Sequence, residues 1–415
     1  MVEVPDAPAV PTSPGGMGTS THPVIRLSIA FGFVLLATIS HSRALWAAHD
    51  ERGVIGGHNA EPGAWPDVVA VYADSLAICT GVLVAPTVVL TAAHCNNSGL
   101  REVLIGAHTL AADHGGERIP VARRIEHPDW KTTYDVLVLV LARPSTRPPR
   151  AIASGWAGAE LDDGTEATIV GFGAISADSM QYIDPLQEAK TTITDASCAR
   201  AKGCNVDVRP AGELGAGGMG IDSCRGDSGG PLYAETSFGT VVAGLTSRAY
   251  ADASQTCSEG GIYVRAGKIV DWIEAQAGVP VRRGPDPMFE PLSLQVGEGA
   301  QTHIEPNDPR ARSHQFALVN APTLGRVAVK GDGTVRMCAT KPGTEQLIVE
   351  VRDAKAPTRK VYVTIPVTVS EGTDSGDCSL DVDSGCGCHS GGVGAGLLPL
   401  VLSLLALPRR RRRAE

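Results

Sequence analysis

A serine hydroxyl attacks a carbonyl carbon when an imidazole within hydrogen-bond reach takes its proton. The imidazole in turn needs a buried carboxylate to hold it in one tautomer. Three segments of this chain can supply those groups. They are Thr91-Ala92-Ala93-His94-Cys95, then Asp135 at the head of the apolar run Val136-Leu137-Val138-Leu139-Val140-Leu141, then Asp222-Ser223-Cys224-Arg225-Gly226-Asp227-Ser228-Gly229-Gly230-Pro231. In this reading Ser228 is the nucleophile, His94 the general base and then acid, and Asp135 the group that orients His94 and stabilises its charged form. A lone Gly-Asp-Ser-Gly arises by chance, but two long cassettes and a strand-heading aspartate together do not.

The elements that must position these groups are short Val/Leu/Ile-rich runs separated by Gly, Pro and Asp clusters, a pattern that predicts many strands and little helix. Val54-Ile55-Gly56-Gly57, Trp65-Pro66, Gly171-Phe172-Gly173, Gly261-Ile262-Tyr263-Val264 and Ile269-Val270-Asp271-Trp272-Ile273 stand as further landmarks. With the two cassettes they make residues 54–277 resemble the trypsin/chymotrypsin family of serine endopeptidases. The resemblance implies an all-β fold of two antiparallel barrels closed by a C-terminal helix, and peptide-bond hydrolysis through an acyl-enzyme.

It also implies particular roles. The backbone N–H groups of Gly226 and Ser228 would form the oxyanion hole, with glycine at 226 permitting a backbone that a Cβ would hinder. Asp222 falls at the base of the primary specificity pocket, where a carboxylate pairs with a substrate Arg or Lys, while Gly261 is a small wall residue and Ser247 a substrate-backbone contact. Arg248 and Ala249 depart from the family's usual Trp and Gly there, so Arg248 would oppose a substrate cation and Ala249 would narrow the entrance. The disulfides implied are Cys79 with Cys95 and Cys224 with Cys257. Cys198 with Cys204 is a local pairing expected because Pro210 occupies the usual partner's place. A freed Val54 ammonium would pair with Asp227 to set the site. Arg52 stands one residue too early for direct release of Val54, so activation would need cleavage after Gly53 or trimming by one residue. No metal or other cofactor is expected, since Ala107 replaces the first acidic ligand of the family's calcium loop although Glu117 is kept.

The remaining sequence extends well beyond one domain. The 415 residues carry a formal net charge of -9, and five of the positive charges are the run Arg409 to Arg413. No basic stripe is present, which excludes nucleic acid as an expected partner. Ten cysteines point to an oxidising compartment. Residues 1–44 read as an N-terminal extension and signal peptide, with Met1 or Met17 as the start, and 45–53 as a propeptide. Residues 54–278 are the protease-like domain and 279–291 a Pro/Gly/Arg-rich linker. Residues 292–369 hold strand-like runs that suit an immunoglobulin- or cadherin-like sandwich. Residues 370–390 are a Ser/Gly/Asp stalk with Cys386-Gly387-Cys388, and 391–415 an apolar segment with an Arg-rich end. That tail resembles the sorting tail of myxobacterial surface proteins. The pairing of Cys338, Cys378, Cys386 and Cys388 is left open.

The leading expectation is a secreted, surface-displayed serine endopeptidase made as a zymogen and cleaving after Arg or Lys. Its partners would be protein or peptide substrates, an activating protease, a sorting protease for the tail, and the membrane through the two terminal segments. Two alternatives stand beside it: a protease of other primary specificity, and a catalytically idle protease-fold adhesin.

Overall fold

A computed structural model describes residues 54–113, 115–174, 176, 184–205, 212–373 and 378–380. The expected leader, propeptide, Cys386, Cys388 and Arg-rich tail lie outside these residues.

The aliphatic runs form strands β1 (His58–Asn59), β2 (Val68–Ala73), β3 (Leu76–Ala85), β4 (Val88–Thr91), β5 (Leu100–Ile105), β6 (Glu117–Glu126) and β7 (Leu137–Leu141). Strands β2 to β7 close into a barrel in the order β2-β3-β4-β7-β6-β5. The next set is β8 (Glu166–Gly171), β9 (Gln187–Asp195), β10 (Glu213–Ala216), β11 (Pro231–Thr236), β12 (Gly239–Ala249) and β13 (Gly261–Val264). It runs β9-β10-β13-β12-β11-β8, and pairing of β8 with β9 closes it into a second six-stranded barrel, with β1 added outside β9.

Alternation along each strand explains how two barrels share one molecule. Val69, Val71, Leu83, Val89, Val103, Ile105, Ile119, Leu137 and Leu139, drawn from all six strands, fill the first barrel. Ala167, Ile169, Ala189, Ile193, Leu214, Leu232, Val241 and Tyr263 fill the second. The opposite phase of several of these strands, including Val82, Leu90, Val138, Val170, Tyr233, Val242 and Val264, joins a cluster shared by both barrels. Asp67 crosses this boundary, accepting the Tyr233 hydroxyl at 2.5 Å and the Arg150 guanidinium at 2.6 Å. Helix α1 (Gly155–Gly158) is a single turn, and α2 (Val270–Ala277) packs Val270 and Ile273 on the shared cluster and ends at Gly278 in the left-handed conformation.

Residues 279–291 do not hang free. The Arg282 N–H donates to Val84 and the Ile152 N–H donates to Arg282, so this segment is docked along the barrels. Beyond it, β14 (Leu292–Gln295), β15 (Gly299–His303), β16 (His314–Leu318), β17 (Gly325–Val329), β18 (Thr334–Ala339), β19 (Gly343–Asp353) and β20 (Lys360–Ser370) form a four-stranded sheet β14-β20-β19-β16 and a three-stranded sheet β15-β18-β17. Strand β20 alternates strictly between exposed and buried side chains, and both sheets turn apolar residues into one cluster. Within the expected stalk, a disulfide joins Cys378 to Cys338 on β18 and ties the chain back to this unit.

The core of that unit also draws on the protease-like region. Trp156 on α1 is fully buried in the same cluster as Leu292, Ile304, Met337 and Val363. Its indole N–H donates to the Pro306 carbonyl at 2.6 Å, and the Arg359 guanidinium lies 4.8 Å from the centre of its ring. Gly155 turns α1 into place with φ +48. A Cβ there would come within 2.3 Å of both the Pro285 carbonyl oxygen and Asp286 Oδ1.

Candidate active site

Antiparallel pairing brings His94 and Asp135 to one end of the first barrel. Thr91, the last residue of β4, faces Leu137, the first of β7. His94 follows β4 on the 3-10 turn Ala93–Cys95, and Asp135 precedes β7, so both emerge at the same end. The His94 ring Nδ1 lies 2.7 Å from Asp135 Oδ2, and the His94 backbone N–H donates to Oδ1 at 3.0 Å. The carboxylate can only accept, so Nδ1 carries the proton and Nε2 of the neutral ring is left with a free lone pair. Burial alone would raise the Asp135 carboxyl, but bonds from His94 and from the Ser247 hydroxyl hold it below its ordinary value. The His94 side chain remains 37% exposed.

The Ser228 turn packs against the middle of β3. The Thr80 N–H donates to the Ser228 carbonyl at 3.0 Å, and the Thr80 hydroxyl donates to the Gly226 carbonyl at 2.9 Å. Thr80, a residue that sequence reasoning passed over, thus grips this turn at two points. Gly226 adopts φ +99, a conformation open to glycine alone at low cost. Among the described residues, the N–H groups of Gly226 and Ser228 donate to no protein acceptor, in contrast to the Asp227 N–H, which donates to Cys224.

Asp222 is 2% exposed. Its Oδ2 accepts from the Ser258 N–H at 2.9 Å and the Gly260 N–H at 3.0 Å, while Oδ1 is buried without any partner. Gly217 and Gly261 border Oδ1, since a Cβ on either would lie 3.6 Å from it. Burial raises this carboxyl to about 6 against the backbone donors around it. Asp227 is pushed further, to about 7, by complete burial, opposed by the N–H groups of Cys224 and Gly173 and assisted by the nearby charge of Asp222. Val54 is fully buried in the core of the second barrel, and the Ile55 carbonyl accepts the Asp222 N–H at 3.1 Å.

Ser247 is the extra residue of a β-bulge, because β12 pairs Thr246 with Tyr263 and Arg248 with Ile262. The bulge aims Ser247 away from its strand neighbours, and its hydroxyl donates to Asp135 Oδ2 at 2.8 Å. The expectation that Arg248 opposes a substrate cation is corrected. Its guanidinium is bound in two places by Glu213, at 2.8 and 2.9 Å, so the charge is neutralised and turned toward β10. Disulfides join Cys79 to Cys95, Cys198 to Cys204 and Cys224 to Cys257. The Glu117 carboxylate is taken up by Ser145 at 2.8 Å and by Thr146.

Two closed antiparallel barrels with a paired histidine and aspartate at their junction define a recognisable class of hydrolase fold. Residues 54–273 match the Trypsin domain family, and the chain belongs to that family of serine proteases. Brachyurin of Leptuca pugilator is 30% identical over 54% of this chain and 99% of its own length. Human serine protease 56 is 35% identical over 56% of this chain, a stretch that spans 40% of that relative. Human kallikrein-8 is 30% identical, over 56% of this chain and 91% of its own. The solved structure of mouse neuropsin, a serine protease expressed in the limbic system of the brain, covers 53% of the chain at 26% identity with a TM-score of 0.45.

Proposed function

We propose that this protein is a secreted, surface-displayed serine endopeptidase made as a zymogen and cleaving peptide bonds after Arg or Lys. The observation that carries the specificity is the Asp222 carboxylate, buried, with Oδ1 free of partners between two glycines. Such an oxygen is costly to bury unless a cation meets it. An Arg or Lys side chain is the cation a peptide substrate brings.

In this reading the Ser228 Oγ attacks the scissile carbonyl carbon as its proton passes to His94 Nε2. Asp135 stabilises the resulting imidazolium, and the N–H groups of Gly226 and Ser228 receive the oxyanion. Collapse breaks the C–N bond, with the His94 proton going to the leaving amine. Water then attacks the acyl-enzyme, gives its proton to His94, and Ser228 regains a proton as the acid leaves. Activation is cleavage after Gly53, or after Arg52 with removal of Gly53, which frees a Val54 ammonium for Asp227. Support comes from the full burial of Val54 and from an Asp227 carboxyl that burial holds at about 7. An ammonium beside it would restore its charge. Residues 292–369 form an immunoglobulin-like sandwich in this reading, which with the tail beyond it holds the enzyme at the outer surface.

The test is hydrolysis of Arg- and Phe-containing peptide esters by the full chain processed to a Val54 terminus, beside Ser228→Ala. Arg ester turnover that vanishes in the variant supports the proposal. Turnover of the Phe ester alone removes the specificity, and no turnover by folded, processed protein removes the catalytic reading.

A further inference from the structure

We propose that Arg248 and Glu213 are positioning residues for the catalytic pair: Glu213 holds the Arg248 guanidinium behind Ser247, and the guanidinium turns the Ser247 hydroxyl onto Asp135. The proposal rests on the reading that His94 and Asp135 act together in catalysis, and it extends that network by two residues.

The direction of the chain of bonds follows from what each group can donate. A guanidinium only donates, and a serine hydroxyl has one proton and accepts through its lone pairs. Arg248 Nη1 lies 3.3 Å from Ser247 Oγ, so the hydroxyl oxygen accepts there and is left to send its proton to Asp135 Oδ2 at 2.8 Å. That same Oδ2 receives the His94 ring proton. The bulge that makes Ser247 unpaired in the ladder also removes strand neighbours that would fix its side chain, so the guanidinium supplies the missing constraint.

Arg248 is itself held on three sides. Nη1 and Nη2 each donate to one Glu213 oxygen, and Nη2 also donates to the Gly203 carbonyl at 2.7 Å. The Glu213 side chain is wholly buried, while that of Arg248 is 38% exposed. Glu213 also accepts the Asn205 N–H at 2.8 Å. A buried carboxylate that lost its guanidinium would keep its charge uncompensated, so the pair stays together. Among the described residues, the charged and titratable groups around this pair include Asp135 and His94 through Ser247, and Tyr134, whose hydroxyl burial pushes up to about 12 with help from Asp129 and Glu213.

Because the outer pair is neutral as a unit, removing either half leaves the other's charge near His94. Arg248→Gln leaves the Glu213 anion and loosens the Ser247 hydroxyl from Asp135. Both effects favour the imidazolium, so the His94 titration moves to higher pH. Glu213→Gln leaves the Arg248 cation and moves it to lower pH. The double variant returns toward wild type. A pair that only stabilised the fold would lower the melting temperature in both single variants without opposite shifts.

The test is an NMR titration of the His94 ring in the full chain carrying Ser228→Ala, with each outer-pair substitution added, so that the readout does not need turnover. Opposite shifts on the order of half a pH unit are expected. Arg248→Lys, which keeps the cation, should leave the midpoint near wild type, and with Glu213→Gln it carries the comparison if Arg248→Gln does not fold. In the active enzyme the acid limb of kcat/KM should follow the same order, with kcat falling and KM held. Midpoints that stay fixed, or that move the same way in both single variants, overturn the proposal. Failure to hydrolyse any ester would instead overturn the catalytic reading and leave the titration to decide this one.

Discussion

Three aspartates near Ser228 are held in two different states by their surroundings. Asp135 is bonded by charge-favouring donors and stays low, whereas Asp222 and Asp227 are raised to about 6 and about 7 because burial outweighs their backbone donors. For Asp222 the sign has a direct consequence. In the proposed reading its pocket attracts a cation only when the carboxyl is ionised, which in the free protein happens above about 6. Binding of a benzamidinium ion to the processed chain should therefore be constant near neutral pH. Below that value it should weaken by up to roughly tenfold per pH unit. Asp222→Asn should abolish both the binding and its pH dependence. Calorimetric titration between pH 4 and 8 measures this, and pH-independent binding would remove Asp222 as the cation's partner.

At the scale of elements, the site is built from strand ends rather than from strands. The β4–β7 pairing places the His94 turn and Asp135 together, and the β12 bulge adds Ser247 from the other barrel. The Cys79–Cys95 disulfide ties β3 to the His94 turn across 16 residues. Replacing both cysteines by alanine should cost about 2–4 kcal/mol of stability. It should also lower kcat, because the histidine turn loses one of its anchors next to Cys95. Urea denaturation of the oxidised protein and the double variant, with kcat for the Arg ester, checks both. Unchanged kcat would mean that the barrel end holds His94 without the bridge.

For the whole molecule, the C-terminal sheets are packed onto the barrels. Trp156 leaves α1 to complete their core, and Glu160 forms an ion pair with Arg310 at 2.5 Å beside it. Truncating a buried tryptophan leaves a cavity, so Trp156→Ala should cost about 3–5 kcal/mol. The loss should appear in melting of both parts, because the residue belongs to one chain region and the core of the other. Differential scanning calorimetry of the full chain and the variant tests this. A single unchanged transition would show that the indole contributes little to the coupling.

Much of the candidate site was legible in the sequence because its proposed chemistry lies in contiguous cassettes. Segments 91–95 and 222–231 each place several functional groups within a few residues, and the order of residue types survives without any knowledge of folding. Alternating aliphatic runs likewise predicted strands at 325–329 and 361–369, close to the observed β17 and β20. The tertiary structure decided what depends on long closures of the chain. Ser247 meets Asp135 across 112 residues, and Trp156 meets Pro306 across 150. Arg248, which the sequence alone set against a substrate cation, is claimed by Glu213 35 residues away. Such partners are chosen by which strand ends and bulges the fold brings together, and neither composition nor local period carries that information. The sequence by itself therefore determined the candidate groups and the strand pattern. The packing of two barrels and a third apolar core decided which charges are neutralised, which carboxyls are raised, and that Trp156 joins the two parts of the chain.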